Sequence, residues 1–178
     1  DEVCREASRQ EVVRRYFKTA CLMRQGRADE QELNRLELLM RTLSIDPSIR
    51  KTVPAALEVA KRTNQPATAI ELPDGRVVTG KTSSLLGASS AALLNALKIL
   101  SDIPDELKLI SPSVIEPIQH LKVDHMGNHN PRLHTDEVLI ALAISAATDP
   151  IAARAMDALS ELKDCDAHST VILSQVDD

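Results

Sequence analysis

Apolar positions along this chain recur first at helical spacing and then, further on, at strand spacing. Val12, Val13, Tyr16, Phe17, Ala20 and Cys21 share one face of a helix predicted over residues 5–25, which Gly26 stops. Asp29 is placed to cap the next helix, with Glu32 reaching back as a capping-box variant. Leu33, Leu36, Leu39, Met40 and Leu43 form the buried stripe of that helix. Asp46-Pro47 signals a third helix, whose stripe runs through Ile49, Val53, Leu57 and Ala60, with a kink expected at Pro54. At Pro66 the period changes. Residues 67–72 and 76–82 read as strands around a Pro73-Asp74-Gly75 turn, the pattern of a β-hairpin. A helix with Ser89 or Ser90 as cap follows, buried through Leu93, Leu94, Leu97 and Leu100. Leu107 to Ile110 reads as a short buried strand. Ser113 to Glu116 reads as a capping box opening another helix, with Pro117 in its first turn. Residues 124–135 are a polar loop. The helix from Thr135 is apolar all round and hence expected to be central. Asp149-Pro150 starts one more helix, directed inward by Ile151, Ala155, Ala158, Leu159 and Leu162. Thr170 to Ser174 reads as a final strand.

These elements predict an α+β fold. A helical extension, residues 1–65, is followed by a β-β-α-β-α-α-α-β domain, residues 66–178. The 178 residues suffice for one domain with an extension. With 23 Leu and 21 Ala but only one Tyr, one Phe and no Trp, the core must be aliphatic. Two adjacent aromatics build neither a base-stacking platform nor an aromatic cage. The net charge is −5, and the halves differ. Residues 1–65 carry 13 Lys/Arg against 10 Asp/Glu, and residues 66–178 carry 8 against 16. The bases of the first part alternate with acids on helix faces, so no nucleic-acid partner is expected. Three cysteines without a CxxC point to a reducing, cytoplasmic setting. The longest apolar run, Val138 to Ile144, is far shorter than the ~20 residues that cross a bilayer, so no membrane partner is expected. A first residue that is Asp rather than Met, and an end just after a strand-like run, suggest a piece of a longer protein.

Gly75-Arg76-Val77-Val78-Thr79-Gly80-Lys81-Thr82 matches the phosphate-loop pattern GxxxxGK[ST] letter for letter. Two β-branched valines inside it favour extended backbone over a phosphate nest, so the hairpin is the preferred reading. His120, His125, His129 and His134 fall within 15 residues, near Asp124 and Asp136. His125, His129 and His134 are the candidate metal ligands, but their spacings straddle Gly127 and Pro131 without an HExxH. No metal is assigned. Arg132, His134 and Asp136 at a helix start are better suited to an anion, together with the first-turn N–H groups. Lys81 and Ser89 complete the candidate ligand-binding set. Gly87-Ala88-Ser89-Ser90-Ala91 lacks the second glycine of a nucleophile elbow. Cys165 and His168 make a poor nucleophile pair, because Asp164 and Asp166 would raise the thiol pKa. No catalytic residue and no cofactor is assigned.

Several stretches resemble one bacterial family, uncharacterised protein family 371. They are Ala20 to Glu30, Leu72 to Ser83, Leu109 to Ile118, Asn130 to Glu137 and Ala167 to Gln175. The resemblance implies the C-terminal part of a much longer protein, with an α/β portion before it and a short segment after it. Some members of the family that it resembles carry labels such as ATP-dependent peptidase or zinc protease. A looser analogy of order is similar to the cytidine-deaminase-like arrangement, but without its zinc ligands. Ala88-Ser89-Ser90 and Ser111-Pro112-Ser113-Val114-Ile115-Glu116 stand where the ligands would be.

Three functional expectations follow. The first is a non-catalytic or catalysis-assisting domain that binds a small anion through Lys81, Ser89, Arg132, His134 and Asp136, or completes a site with the N-terminal portion of the same protein. The second is an ATP-dependent hydrolase using Gly80-Lys81-Thr82. The third is a structural domain whose helices over residues 5–63 pair with a second copy in a homo-oligomer.

Overall fold

The computed structural model describes residues 1–173. The chain forms two compact units, residues 1–53 and 54–178.

The first unit holds α1 (Glu2–Arg24) and α2 (Glu30–Thr42). Asp29 caps α2 by accepting the Gln31 N–H at 3.1 Å. Val13, Met40 and Ile45 form the buried cluster, with Val12, Tyr16, Phe17 and Ile49 packed around it. The stripe expected on α2 is only partly buried. Met40 is inside, Leu33 and Leu36 are half-buried, and Leu39 and Leu43 are exposed. Asp46-Pro47 opens a single 3-10 turn, Pro47–Ile49, in which Asp46 accepts the Ser48 N–H at 2.8 Å. The helix itself, α3 (Thr52–Thr63), begins later. Pro54 therefore stands in its first turn, where a missing N–H breaks no intrahelical bond, and it marks no kink. The inward positions of α3 are Val53, Ala56 and Val59, while Leu57 faces out.

The second unit contains the hairpin. β1 (Ala67–Glu71) and β2 (Val77–Lys81) pair antiparallel, with Ala67 opposite Lys81 and Glu71 opposite Val77. Gly75 takes φ +83° in the turn, a conformation that side chains disfavour. Asp74 fastens the turn by accepting from the Arg76 backbone N–H and guanidinium. The last strand, β3 (Asp166–Ser169), pairs antiparallel with β1, giving the order β2-β1-β3. It lies four residues before the expected Thr170 start. Thr170 follows it, exchanging two hydrogen bonds with Ala67, and Ser174 falls outside the described residues.

α4 (Ala88–Leu100) lies on the sheet face that carries Ile70, Leu72, Val78 and Gly80. A Cβ on Gly80 would sit 2.1 Å from the Ala92 backbone nitrogen, so only glycine admits the helix here. α5 (Pro112–His120) is capped by Ser111 rather than Ser113, with Pro112 at its first position and Pro117 in its interior. It runs on into a π-helical segment, Leu121–His125, which carries helical chain two residues into the stretch expected as loop. α6 (Thr135–Ala146) and α7 (Pro150–Asp157) complete the helical layer, and Asp149 caps α7 through the Ile151 N–H at 2.8 Å. α6 is not central. It buries Val138, Ala141 and Leu142 but leaves Ile140 and Ile144 exposed.

Leu107 to Ile110 is not a strand. Leu109 and Ile110 are buried as irregular chain in the main cluster with Leu97, Leu133 and Leu142. The observed series after the third helix is β-β-α-α-α-α-β. The strand on which the deaminase analogy leaned is absent among the described residues. The α+β class stands, with a mostly helical chain and a small open sheet.

Candidate functional site

Two helices of the second unit begin side by side. The loop before α4 and the loop before α6 run parallel for one residue pair, Leu86 and Leu133. The Leu133 N–H donates to the Leu85 carbonyl at 2.9 Å, and the Gly87 N–H donates to the Leu133 carbonyl at 3.1 Å. The Ser90 hydroxyl, fully buried, donates to that same carbonyl at 3.0 Å. The sequence favours this because Leu133 is an apolar anchor, fully buried between the polar Arg132 and His134, and Gly87 brings no side chain into the α4 start.

A cleft of about 270 Å3 lies at these paired starts. Gly87, Ala88 and Ser89 line it from α4, and Asn130, Arg132 and His134 from the α6 loop. Pro66 and Thr82 border it from the hairpin, and Val171 to Leu173 from the chain after β3. Gly87 is the α4 cap and has no side chain to satisfy the first-turn N–H groups. The dipoles of both helices are positive at these ends.

Arg132 is held in place. Its Nε donates to the Ser83 carbonyl at 2.6 Å, and its backbone N–H donates to Asn130 Oδ1 at 3.2 Å. Behind it stands Lys122, only 3 % exposed, on the π-helical segment. Its ammonium donates to the Arg132 carbonyl at 2.6 Å and to Glu137 Oε2 at 2.7 Å. The same Glu137 oxygen accepts the His134 N–H at 2.8 Å, closing the α6 cap. A buried ammonium without a partner would be very costly, so Glu137 and Lys122 hold one another. Their charges offset, and the α6 dipole and the Arg132 guanidinium set the local field.

Of the five candidate ligand-binding residues, Ser89, Arg132 and His134 line this one cleft. Lys81 is exposed at the end of β2 and does not line it. Asp136 is exposed on the first turn of α6, where its carboxylate accepts the Glu137 N–H at 2.8 Å. Ser89 is a first-turn residue rather than a cap, and so is Ser90. Lys122 escaped sequence reading. It lies between Leu121 and Val123, which are both exposed, the reverse of the usual burial order. The π-helical register turns the lysine inward, and no local sequence signal announces it.

The GxxxxGKT segment does not have the backbone of a phosphate loop. Val77 to Lys81 is paired strand, and Gly80 serves the approach of α4. Among the described residues, no three His, Cys, Asp or Glu side chains gather closely enough to hold a metal ion. His120 Nδ1 faces Asp124 Oδ2 at 3.0 Å, and His125 and His129 are exposed. The Cys165 thiol pKa is raised, first by burial and then by Asp164 and Glu71. That leaves it a poor nucleophile at neutral pH. No helix among the described residues is long and apolar enough to cross a membrane.

Comparison with known proteins places these features in a family. A UPF0371 protein of Corynebacterium aurimucosum is 54% identical over 178 residues, covering 100% of this chain and 36% of the relative. UPF0371 protein CE2832 of Corynebacterium efficiens is 53% identical over the same share of each chain. A UPF0371 protein of Streptococcus pneumoniae is 51% identical over 177 residues, 99% of this chain and 36% of the relative. The chain thus spans about a third of the length of the curated relatives it matches. Residues 1–44 match the model described as Domain of unknown function DUF1846, N-terminal. Residues 48–178 match Domain of unknown function DUF1846, C-terminal, and the chain belongs to this family of uncharacterised bacterial proteins.

Proposed function

We propose that this chain is the C-terminal part of a longer protein and that residues 66–178 bind a small anion in the cleft at the starts of α4 and α6. On this reading the domain is non-catalytic or assists a reaction, and the N-terminal portion of the same protein completes the site. One observation carries the proposal: the Leu86–Leu133 bridge aligns two helix N-termini on a cleft that also holds Ser89, Arg132 and His134. The first-turn N–H groups of α4, which Gly87 leaves without a side-chain cap, supply directed donors, and Arg132 supplies a charge with forked geometry that suits phosphate or carboxylate oxygens. Aromatic stacking has no part in it, because both aromatics, Tyr16 and Phe17, belong to the other unit.

The test uses the full-length protein with inorganic phosphate and, separately, ATP. A ligand that binds only the folded state raises its melting temperature in proportion to occupancy. The wild type is expected to be stabilised by at least one of the two. The Arg132→Ala/His134→Ala variant should lose more than half of that shift. A shift that survives the double substitution intact overturns the assignment. ATP stabilisation lost in Lys81→Ala but kept in the cleft variant would favour a nucleotide site on the hairpin instead.

A further inference from the structure

The first unit is built like half of a core. Its buried apolar cluster is Val13, Met40 and Ile45, and α2 contributes only Met40 to it. Leu36, Leu39 and Leu43 recur at i, i+3 and i+7, so they share one helix face. Leu39 and Leu43 are 40 % and 50 % exposed. Two open clefts border this face. One, about 400 Å3, lies along Leu22, Leu36 and Leu39, and another, about 440 Å3, along Val12, Leu43 and Ile45. Arg5 and Arg9 rim the second cleft, and the Arg9 Nε is buried with no hydrogen-bond partner. Native structures rarely leave such a donor unmet. Two packed helices also fall short of the layered core that sustains a domain.

The family comparison supplies the missing layer. Residues 1–44, which make up these two helices, match the N-terminal DUF1846 domain, whereas the next residues match the C-terminal one. The relatives carry nearly two-thirds of their length beyond the part this chain covers. We infer that the Leu36–Leu39–Leu43 face of α2 and the flanking clefts are the docking surface for the rest of the N-terminal domain in the same polypeptide. That domain presents an apolar face, with hydrogen-bond acceptors set against Arg5 and Arg9. The inference is independent of the anion cleft.

The experiment is Leu39→Glu/Leu43→Glu in the full-length protein, followed by thermal unfolding and sedimentation. Burying two carboxylates against an apolar face should lower the melting temperature by at least about 5 °C, with the assembly state unchanged. An unchanged melting temperature overturns the inference, because the two leucines would then remain in water. Dissociation into smaller particles overturns it in favour of a second copy of the chain. If the double variant does not fold, Leu43→Cys decides. Its thiol, located by peptide mass mapping, should resist a maleimide until denaturant is added, and prompt labelling overturns the inference.

Discussion

The two units solve the same packing problem with different materials. The first owns both aromatic rings, Tyr16 and Phe17, in edge contact at 5.3 Å, yet buries only three apolar residues in its cluster. The second has no aromatic residue, and its main cluster buries thirteen. Large side chains are thus neither necessary nor sufficient for a core. What the second unit has instead is small residues at crossings: Gly80 and Ala92 where α4 meets β2, and Ala141, Ala152 and Ala155 in the buried cluster with Leu133 and Leu142. Close approach of backbones brings many aliphatic atoms to van der Waals distance, and that sum replaces ring area.

The sharpest way to break this contrast is Gly80→Ala. The added methyl meets helix backbone, not a flexible side-chain tip, so α4 must move off the sheet. A loss of about 3 kcal/mol or more is expected, measured by urea unfolding. A loss below about 1 kcal/mol would mean that close approach does not carry the second unit. Met40→Ala is the counterpart in the first unit. It removes the only buried residue of α2 and should cost about 2 kcal/mol. Hydrogen exchange should quicken in α1 and α2 and stay unchanged in α4 and α6. Quickening in α4 and α6 as well would show that the two units unfold together.

The smallest effect concerns two turn carboxylates, one per unit. The Ser48 hydroxyl and N–H hold Asp46 below the ordinary range, and Arg76 does the same for Asp74. A depressed pKa means stability that is present above the unfolded value, about pH 4, and is lost as pH falls through the folded value. Both contributions should therefore fade in acid. Only that of Asp74 should shrink with added salt, because its first cause is the hydrogen bond from Arg76, whose exposed guanidinium carries a charge, whereas Ser48 carries none. Equal salt sensitivity of the two, read from carboxyl titration by NMR, would contradict this assignment.

Local signals were legible where the chain satisfies itself. The Pro73-Asp74-Gly75 turn, the Asp29 and Asp149 caps and the stop before Gly26 all depend on neighbours within four residues. Leu107 to Ile110 misled because apolar runs report burial, not backbone shape, and here a buried coil satisfies the same pattern. β3 misled in the opposite sense. Asp166-Ala167-His168-Ser169 looks unlike a strand, and it is one because β1 offers a free edge. In the site, Ser89, Arg132 and His134 were legible as residues beside helix starts. That the starts are neighbours was not legible, since a bridge joining positions 86 and 133 leaves no periodic trace. Lys122 was hidden for the related reason that a change of helical register inverts which side chain faces in.

Gly80 has a consequence for how such chains are labelled. The tightness of one helix against one strand demands a glycine there, and the hairpin turn demands another at Gly75. Five residues apart, and followed by Lys81-Thr82, they spell the letters of a nucleotide-binding loop. The two origins leave different marks on substitution. Steric need fixes position 80 and makes no demand on position 81, whereas a phosphate grip would fix both. A letter pattern can thus be the shadow of packing.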